Sequence, residues 1–463
     1  MNVNVASPAG PCLTADIARW IADRSATALP AKTRDHLKLC ILDTLGCGLY
    51  GSQRPWGRIA AAVAEESAQG RSQIWGMAGC VGVTAAATVN GTAVHGFELD
   101  DVHLSGQLHP GAVTLPAAWA LSELTQASGA ALLNAVGVGY EIGIRLGIAA
   151  GRGHGLSGFH PTGTLGAVAA AAAAAKLLDL DPMQAQAAIA LGATQAAGLY
   201  SARTGGMSKR FHAGHAAGAG VTAGLLARRG FTGSETAIEA DFGGLLSAMR
   251  FDGDRDAVMR HLGEVWLLEG VGFKIFSTCA SAQTVVEGAI ELRNLGVTPQ
   301  NLERLEVNMG SIAVSNVGWT YQPKDVVAAQ MNGSYAAAVA LMDGDAFVDQ
   351  FAEERLSDPE TVALASRVKF QIDAEIDKGG LGLRHASRLV AHLRDGSTKT
   401  VQHTQRPGGP GKEIPADRVI AKFERLSGPV IGDKAAARVL DMVMNLETLP
   451  DIGGISTVLG GAR

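Results

Sequence analysis

Arg388-Leu389-Val390-Ala391-His392-Leu393-Arg394-Asp395-Gly396-Ser397-Thr398-Lys399-Thr400-Val401-Gln402-His403 decides that this chain is not wholly helical. Leu389, Ala391 and Leu393 stand on alternate positions, the period of a strand with one buried face. Asp395-Gly396 supplies what a tight hairpin turn demands, and Thr398 to His403 returns as the partner strand. Further out, Leu305, Val307 and Met309 alternate with Glu306 and Asn308, and Val368, Phe370 and Ile372 alternate with Lys369, Gln371 and Asp373. Helices near 279–294 and 332–352 fall among these strands. Arg406-Pro407-Gly408-Gly409-Pro410-Gly411 then breaks the pattern. The spacing predicts an α+β domain over residues 269–411.

On either side the period is helical. Helices are expected at 15–27, 32–45, 58–68, 84–94, 114–127, 129–148, 163–178, 182–196, 212–228 and 234–248, then at 416–426 and 433–446. Leu37, Ile41 and Leu45 mark one buried stripe, and Pro182 stands where a first-turn proline belongs. No alternating strand is read before about residue 268, and residues 1–12 read as a loose arm. The expected fold is mainly α with an α+β lid. Residues 1–268 and 412–463 form a large all-helical domain from both chain ends, and 269–411 is inserted as the lid.

Hydrophobic residues make up 47% of the 463, enough for a large core, while 59 glycines and few aromatics imply closely packed backbones. The net charge of −5, with no basic stripe, argues against nucleic acid as a partner. No long uninterrupted apolar window and no basic, apolar leader is found, so neither membrane nor secretion is expected. Five dispersed cysteines fit a reducing compartment, here read as the cytoplasm.

Reactive side chains gather in a few Gly-bearing stretches. Gly96-Phe97-Glu98-Leu99-Asp100-Asp101-Val102-His103 continues through Leu104-Ser105-Gly106-Gln107-Leu108 to His109-Pro110-Gly111, between two apolar helices. Such a loop is either a site or a solvated connection whose acids cap the next helix. Phe159-His160-Pro161-Thr162-Gly163-Thr164 precedes an Ala-rich helix, so Thr162 and Thr164 either cap it or help its free N–H groups bind an anion. Ser208-Lys209-Arg210-Phe211-His212 puts cations at a helix N-terminus, against the dipole, which suits a polyanionic ligand or a solvated basic turn. Gly272-Phe273-Lys274-Ile275-Phe276-Ser277-Thr278-Cys279 sets a lysine among apolar residues, either buried with a lowered pKa or snorkelling.

Several familiar chemistries are missing. There is no H-E-x-x-H and no C-x-x-C, and His212 and His215 lack further ligands, so no metal is expected. There is no P-loop, no dinucleotide-binding glycine motif after a strand and no G-x-S-x-G. What remains is a cofactor-free site of His, Lys and carboxylates, where each acid–base group contributes about 10²–10⁴-fold.

In this order the segments resemble the MmgE/PrpD family. The similarity runs from Ile41-Leu42-Asp43-Thr44-Leu45-Gly46-Cys47 through Asn90-Gly91-Thr92-Ala93-Val94-His95 and Leu99-Asp100-Asp101 to His109-Pro110. It continues in Phe159-His160-Pro161-Thr162-Gly163-Thr164, Lys209-Arg210-Phe211-His212-Ala213-Gly214, Phe273-Lys274 and Leu341-Met342-Asp343-Gly344. The resemblance implies a helical domain and a smaller lid with the site between them, usually in a homodimer. Members include 2-methylcitrate dehydratase, cis-aconitate decarboxylase and iminodisuccinate epimerase, which act on small polycarboxylates without an obligatory metal. It implies Asp100, His109, His160, Lys209 and Lys274 as catalytic residues. Glu98, Asp101, His103, Thr162, Thr164, His212, Cys279 and Gln283 are expected to contact substrate.

The expected activity is a hydro-lyase acting on a hydroxy di- or tricarboxylate. An epimerase or a decarboxylase of a related acid is the alternative, and a non-catalytic carboxylate binder a further one. The sequence departs from the decarboxylase-like members at Cys279 and Gln283, where those have histidines. It also lacks their lid tyrosine near Ser315-Asn316.

Overall fold

The computed structural model describes residues 12–25, 27–67, 69–204, 206–409 and 411–460. The expected N-terminal arm lies, Cys12 apart, outside them. The fold is mainly α with a smaller α+β portion, as expected.

At its centre lies the helix Pro161–Leu177, buried along its length to Ala175. From Ala167 to Ala175 it is Ala at every position but Val168, so neighbouring helices approach to backbone distance. A Cβ on Gly220 of the helix Ser208–Arg228 would fall 2.3 Å from the Ala170 Cβ, and one on Gly139 of the helix Gly129–Ala150 would fall 2.8 Å from the Ala169 carbonyl oxygen. Among the described residues, Gly129–Ala150 alone is long and apolar enough to cross a membrane, but 83% of its apolar window is buried inside the protein. Within it Arg145 pairs with Glu141 at 2.7 Å and donates to the carbonyls of Ala257, Arg260 and Val265. Glu141 accepts from the Leu267 and Leu268 N–H groups. This pairing satisfies both buried charges and fastens the segment that leads to the lid.

The C-terminal helix Ala416–Ile431 returns to pack on the helix Ala31–Ser52, where a Cβ on Gly46 would meet Phe423 Cα at 3.2 Å. Its Lys422 donates to Asp43 at 2.6 Å and to the Leu99 carbonyl at 2.5 Å, so this helix also braces the acidic loop.

In the lid, strands Val368–Ile372, Leu302–Met309, Ser387–Leu393 and Thr398–His403 form one sheet in that order. The first pair is parallel, with Leu305 opposite Val368, and the others antiparallel, with Leu389 opposite Val307 and Val401. Gly396 takes φ +84 in the hairpin turn, as Asp-Gly predicts. Helices Gln283–Asn294 and Gly333–Asp343 are the lid's two longest.

Three expectations are corrected. The helix expected at 332–352 stops at Asp343, because Gly344 adopts the left-handed φ of +76 and caps it. Of 234–248 only Leu245–Ala248 is helical, since Gly243 at φ +76 breaks the run. Short strands do precede residue 268: Gln69–Gln73 pairs with Cys80–Val81, and Val102–His103 pairs with Val271–Gly272. Two-residue strands leave no periodic trace, yet the second pair stitches the acidic loop to the base of the lid.

Candidate active site

The helix Val83–Val94 ends in a tight turn, His95–Phe97, after which Glu98 adopts φ +56. That conformation is costly for a residue with a Cβ and tends to mark functional positions. Here it turns the Glu98 carboxylate into a cavity of about 210 Å³ between the helical body and the lid. Lys209, one residue inside the helix Ser208–Arg228, forms an ion pair with Glu98 Oε1. Lys274 reaches in from the lid, with Nζ 3.6 Å from both Glu98 Oε2 and Asp100 Oδ1. Its side chain is 1% exposed and its ammonium donates no hydrogen bond.

Asp100 and Asp101 point to opposite sides of the loop. Asp100 Oδ2 accepts from His95 Nδ1 at 2.6 Å and lies 3.3 Å from His109 Nδ1. Asp101 turns into the core, where it accepts from the Tyr140 hydroxyl at 2.6 Å and from the Gly111 N–H at 3.1 Å. His109 Nδ1 lies 2.7 Å from the Asp101 carbonyl oxygen. A carbonyl only accepts, so Nδ1 carries the proton and Nε2 keeps its lone pair. His160, at the N-terminus of the central helix, stacks on His95 with centroids 5.4 Å apart, and its Nδ1 lies 3.1 Å from His212 Nδ1. Tyr200 meets the His160 ring edge-on, centroids 5.8 Å apart.

Charge follows from this packing. Burial opposes ionisation of Asp100, but His109, His95 and Lys274 outweigh it and hold the carboxyl well below its ordinary value. Glu98 is likewise held low by Lys209 and Lys274 against burial. Lys209, although buried, is raised by Glu98 and stays an ammonium. Burial pushes His109 down to about 3, Asp100 countering and Lys274 reinforcing, and drives His160 well below its usual range. Both imidazoles are therefore neutral. Burial raises Asp101 to about 8, helped by Asp43 and opposed by Tyr140, so it is protonated at neutral pH.

Of the residues expected from the sequence, Glu98, His103, His109, His160, Thr162, Lys209, Lys274 and Cys279 line the cavity, with Asp100 directly behind. Four of the expected substrate contacts do not line it. Asp101 is turned away to cap the Pro110–Thr125 helix. Thr164 gives its hydroxyl proton to His154 Nε2 at 2.8 Å, because His154 Nδ1 is committed to the Met249 carbonyl. The Gln283 amide nitrogen donates to Phe276 and Thr278, holding the lid loop. His212 stands behind His160 and opens to an outer surface hollow. Arg210, beside Lys209, is structural: it stacks over Trp56 at 3.9 Å and donates to the Gly96 carbonyl.

Sequence reasoning missed His95, Tyr200, Arg152, Arg384 and His385. Only His95 had a signal, as the residue immediately before the acidic loop. Its ring, with Asp100 and His109, brings three metal-type donors within 4.8 Å of one another, a cluster no spacing motif betrays. The donor set suits a cation poorly. His95 and His109 both point Nδ1–H at oxygen, and the Lys274 ammonium stands 3.6 Å from the one carboxylate.

A family model described as the MmgE/PrpD N-terminal domain matches residues 15–254, and one described as the MmgE/PrpD C-terminal domain matches residues 276–448. The chain is 30% identical to a cis-aconitate decarboxylase of Aspergillus terreus, over 96% of each protein. It is 30% identical over the full length of both to a cis-aconitate decarboxylase-like protein of Aspergillus oryzae. It is 28% identical to the human cis-aconitate decarboxylase, over 95% of each.

Proposed function

The chain belongs to the MmgE/PrpD family, and from that premise we propose that it is a cofactor-independent lyase that dehydrates a small hydroxy di- or tricarboxylate. One observation carries the choice. The cavity holds a neutral imidazole with a free lone pair, His109, beside a buried ammonium with unspent protons, Lys274. Elimination of water needs that combination: a base for the C–H next to a carboxylate and an acid for the departing hydroxyl.

In this mechanism Lys209 stays charged and, with the Thr162 hydroxyl, holds the carboxylate next to the reacting carbon. His109 Nε2 takes the proton from that carbon, and the charge spreads onto the carboxylate as an enediolate facing Lys274. Lys274 gives a proton to the leaving hydroxyl, which departs as water. Asp100 fixes the His95 ring and stabilises the His109 imidazolium while it exists. His160, neutral and backed by His212, packs against His95 and holds the reacting face. The low pKa of the free imidazoles is raised when a polyanion enters, since the incoming charge favours their protonated form.

A second reading is decarboxylation, favoured by the names of the relatives. Loss of carbon dioxide needs an acid but no base, so it leaves the neutral histidines unused, and Cys279 stands where decarboxylase-like members resemble one another in a histidine. As part of the same proposal the molecule acts as a homodimer. The exposed apolar side chains of Ile59, Val63, Met207 and Phe211, lining a groove continuous with the Lys209 helix, support that pairing. Phe211→Glu is expected to give a monomer by light scattering.

Proton NMR in D₂O with 2-methylcitrate, citrate, cis-aconitate, malate and iminodisuccinate tests the reaction. A new vinyl signal with loss of the C–H resonance is the expected result. A product short of one carboxyl group moves the assignment to decarboxylation, and deuterium wash-in on an unchanged skeleton moves it to epimerisation. Saturable ligand stabilisation of the folded chain without exchange or product overturns the lyase reading in favour of a binder.

A further inference from the structure

The cavity has a second positive pole that this mechanism does not use. Arg152 follows Gly151 at the end of the helix Gly129–Ala150 and belongs to the helical body. Arg384 precedes the strand Ser387–Leu393 and belongs to the lid. Both line the cavity, and both also line an adjoining hollow of about 250 Å³ edged by Ser311, Ile312 and Asp377, so they stand at the throat between the two. Among the described residues neither guanidinium has a hydrogen bond or an ion pair. Asp377, the acid in the hollow, already accepts from the Ser311 N–H and hydroxyl, both at 2.9 Å. The acids of the cavity are committed too, Glu98 to the lysines and Asp100 to His95 and Lys274.

Two like charges, an exposed Arg152 and a half-buried Arg384, therefore line one opening. Burial of Arg384 disfavours its charged form, Tyr200 and Cys279 opposing and Arg152 reinforcing. Removing a guanidinium from water without a partner is costly, and a bidentate carboxylate is the group whose shape matches its fork. Lys209, Lys274, Arg152 and Arg384 against Glu98 and Asp100 leave the site with two positive charges in excess.

We propose that Arg152 and Arg384 form a carboxylate clamp at the throat, holding the substrate carboxylate farthest from His109 and so selecting tricarboxylates over dicarboxylates. One jaw is on each domain, so the bound carboxylate also draws the lid onto the body. The clamp rests on the polycarboxylate reading of the cavity, and not on which reaction follows.

The test is a calorimetric titration of wild type, Arg152→Gln, Arg384→Gln and Arg384→Lys with the unreactive tricarballylate and with glutarate. Each Gln variant is expected to bind tricarballylate about 10- to 100-fold more weakly, the size of a lost charge-assisted contact. Glutarate affinity stays within about threefold, and Arg384→Lys, a point charge without the fork, recovers only part of the loss. With the substrate identified by NMR, KM rises by a similar factor while kcat changes little. Wild-type binding of tricarballylate that both Gln variants retain, or a loss shared equally with glutarate, overturns the clamp alone. Wild type that binds neither ligand overturns the polycarboxylate reading and the clamp with it. Inorganic phosphate is the control anion: binding tighter than tricarballylate, lost in the same variants, would overturn the carboxylate assignment.

Discussion

At the scale of single residues, neighbours in sequence have been given opposite chemistry by their surroundings. Asp100 is ionised between histidines and Lys274, whereas Asp101, one position on, is protonated in the core. An ordinary aspartate ionises near pH 3.9 in the unfolded chain, and Asp101 does so near 8 in the folded one. The native state thus keeps a proton that the unfolded state releases. The stability this contributes is complete below about pH 4 and is lost as pH rises towards 8. Asp101→Asn cannot ionise, so urea midpoints should shift in the variant's favour between pH 5 and pH 8. A gap between wild type and variant that is equal at both pH values would show that Asp101 is charged in the fold. For the reaction, His109→Ala is expected to lower kcat by about 10²- to 10⁴-fold and His160→Ala, which removes a packing partner and moves no proton, by less; full turnover by either would remove that histidine from the mechanism. Part of this placement was legible beforehand. A lysine flanked by apolar residues, Lys274, proved buried against two acids. What could not be read was facing. A loop has no period, so nothing in Asp100-Asp101 says which carboxylate turns to the cavity, and Arg152 and Arg384 meet only through the fold.

At the scale of elements, helices were legible wherever apolar period and punctuation agreed. Asp181 before Pro182 became a full capping box with Gln184. Starts were read late where a proline opens the helix, as at Pro55, Pro110 and Pro161, because the first turn carries little of the apolar stripe. Glycine matters most where a helix must touch a functional loop. A Cβ on Gly147 would lie 1.8 Å from the Gly106 carbonyl oxygen, in the turn between His103 and His109. That turn is already tight, with Gln107 at φ +56 and its amide donating to the Gly151 carbonyl at 2.6 Å. Gly147→Ala gains about 1 kcal/mol of helix propensity but must displace backbone, so a net loss of about 1–2 kcal/mol is expected. Because the displaced turn carries both histidines, kcat should fall with Tm. A variant with lowered Tm and unchanged kcat would show that the turn moves without carrying His109 along.

At the scale of the whole molecule, the smaller α+β portion stands out from the mainly helical remainder by where the period of two appears and where it stops. The seam between them left no trace in sequence, because it is made of single contacts. The Phe97 carbonyl accepts from Ser277 Oγ at 2.8 Å and from Gln330 Nε2 at 2.9 Å, and Gln330 also donates to Ser277 Oγ. Phe97 precedes Glu98, so these lid side chains hold the backbone from which the left-handed turn aims the carboxylate at both lysines. Gln330→Leu deletes the shared donor and leaves Phe97 and Ser277 with one bond fewer in a dry interface, a cost of about 1–3 kcal/mol. A ligand that binds only the closed form offsets such a loss by mass action, about 2.7 kcal/mol at a hundred times its Kd. The variant's deficit in Tm should therefore be largest without ligand and shrink in saturating tricarballylate, while its Kd rises because part of the binding energy is spent on closing the lid. If the deficit is the same with and without ligand, and Kd is unchanged, the lid is already shut in the free protein and the seam contributes to stability alone.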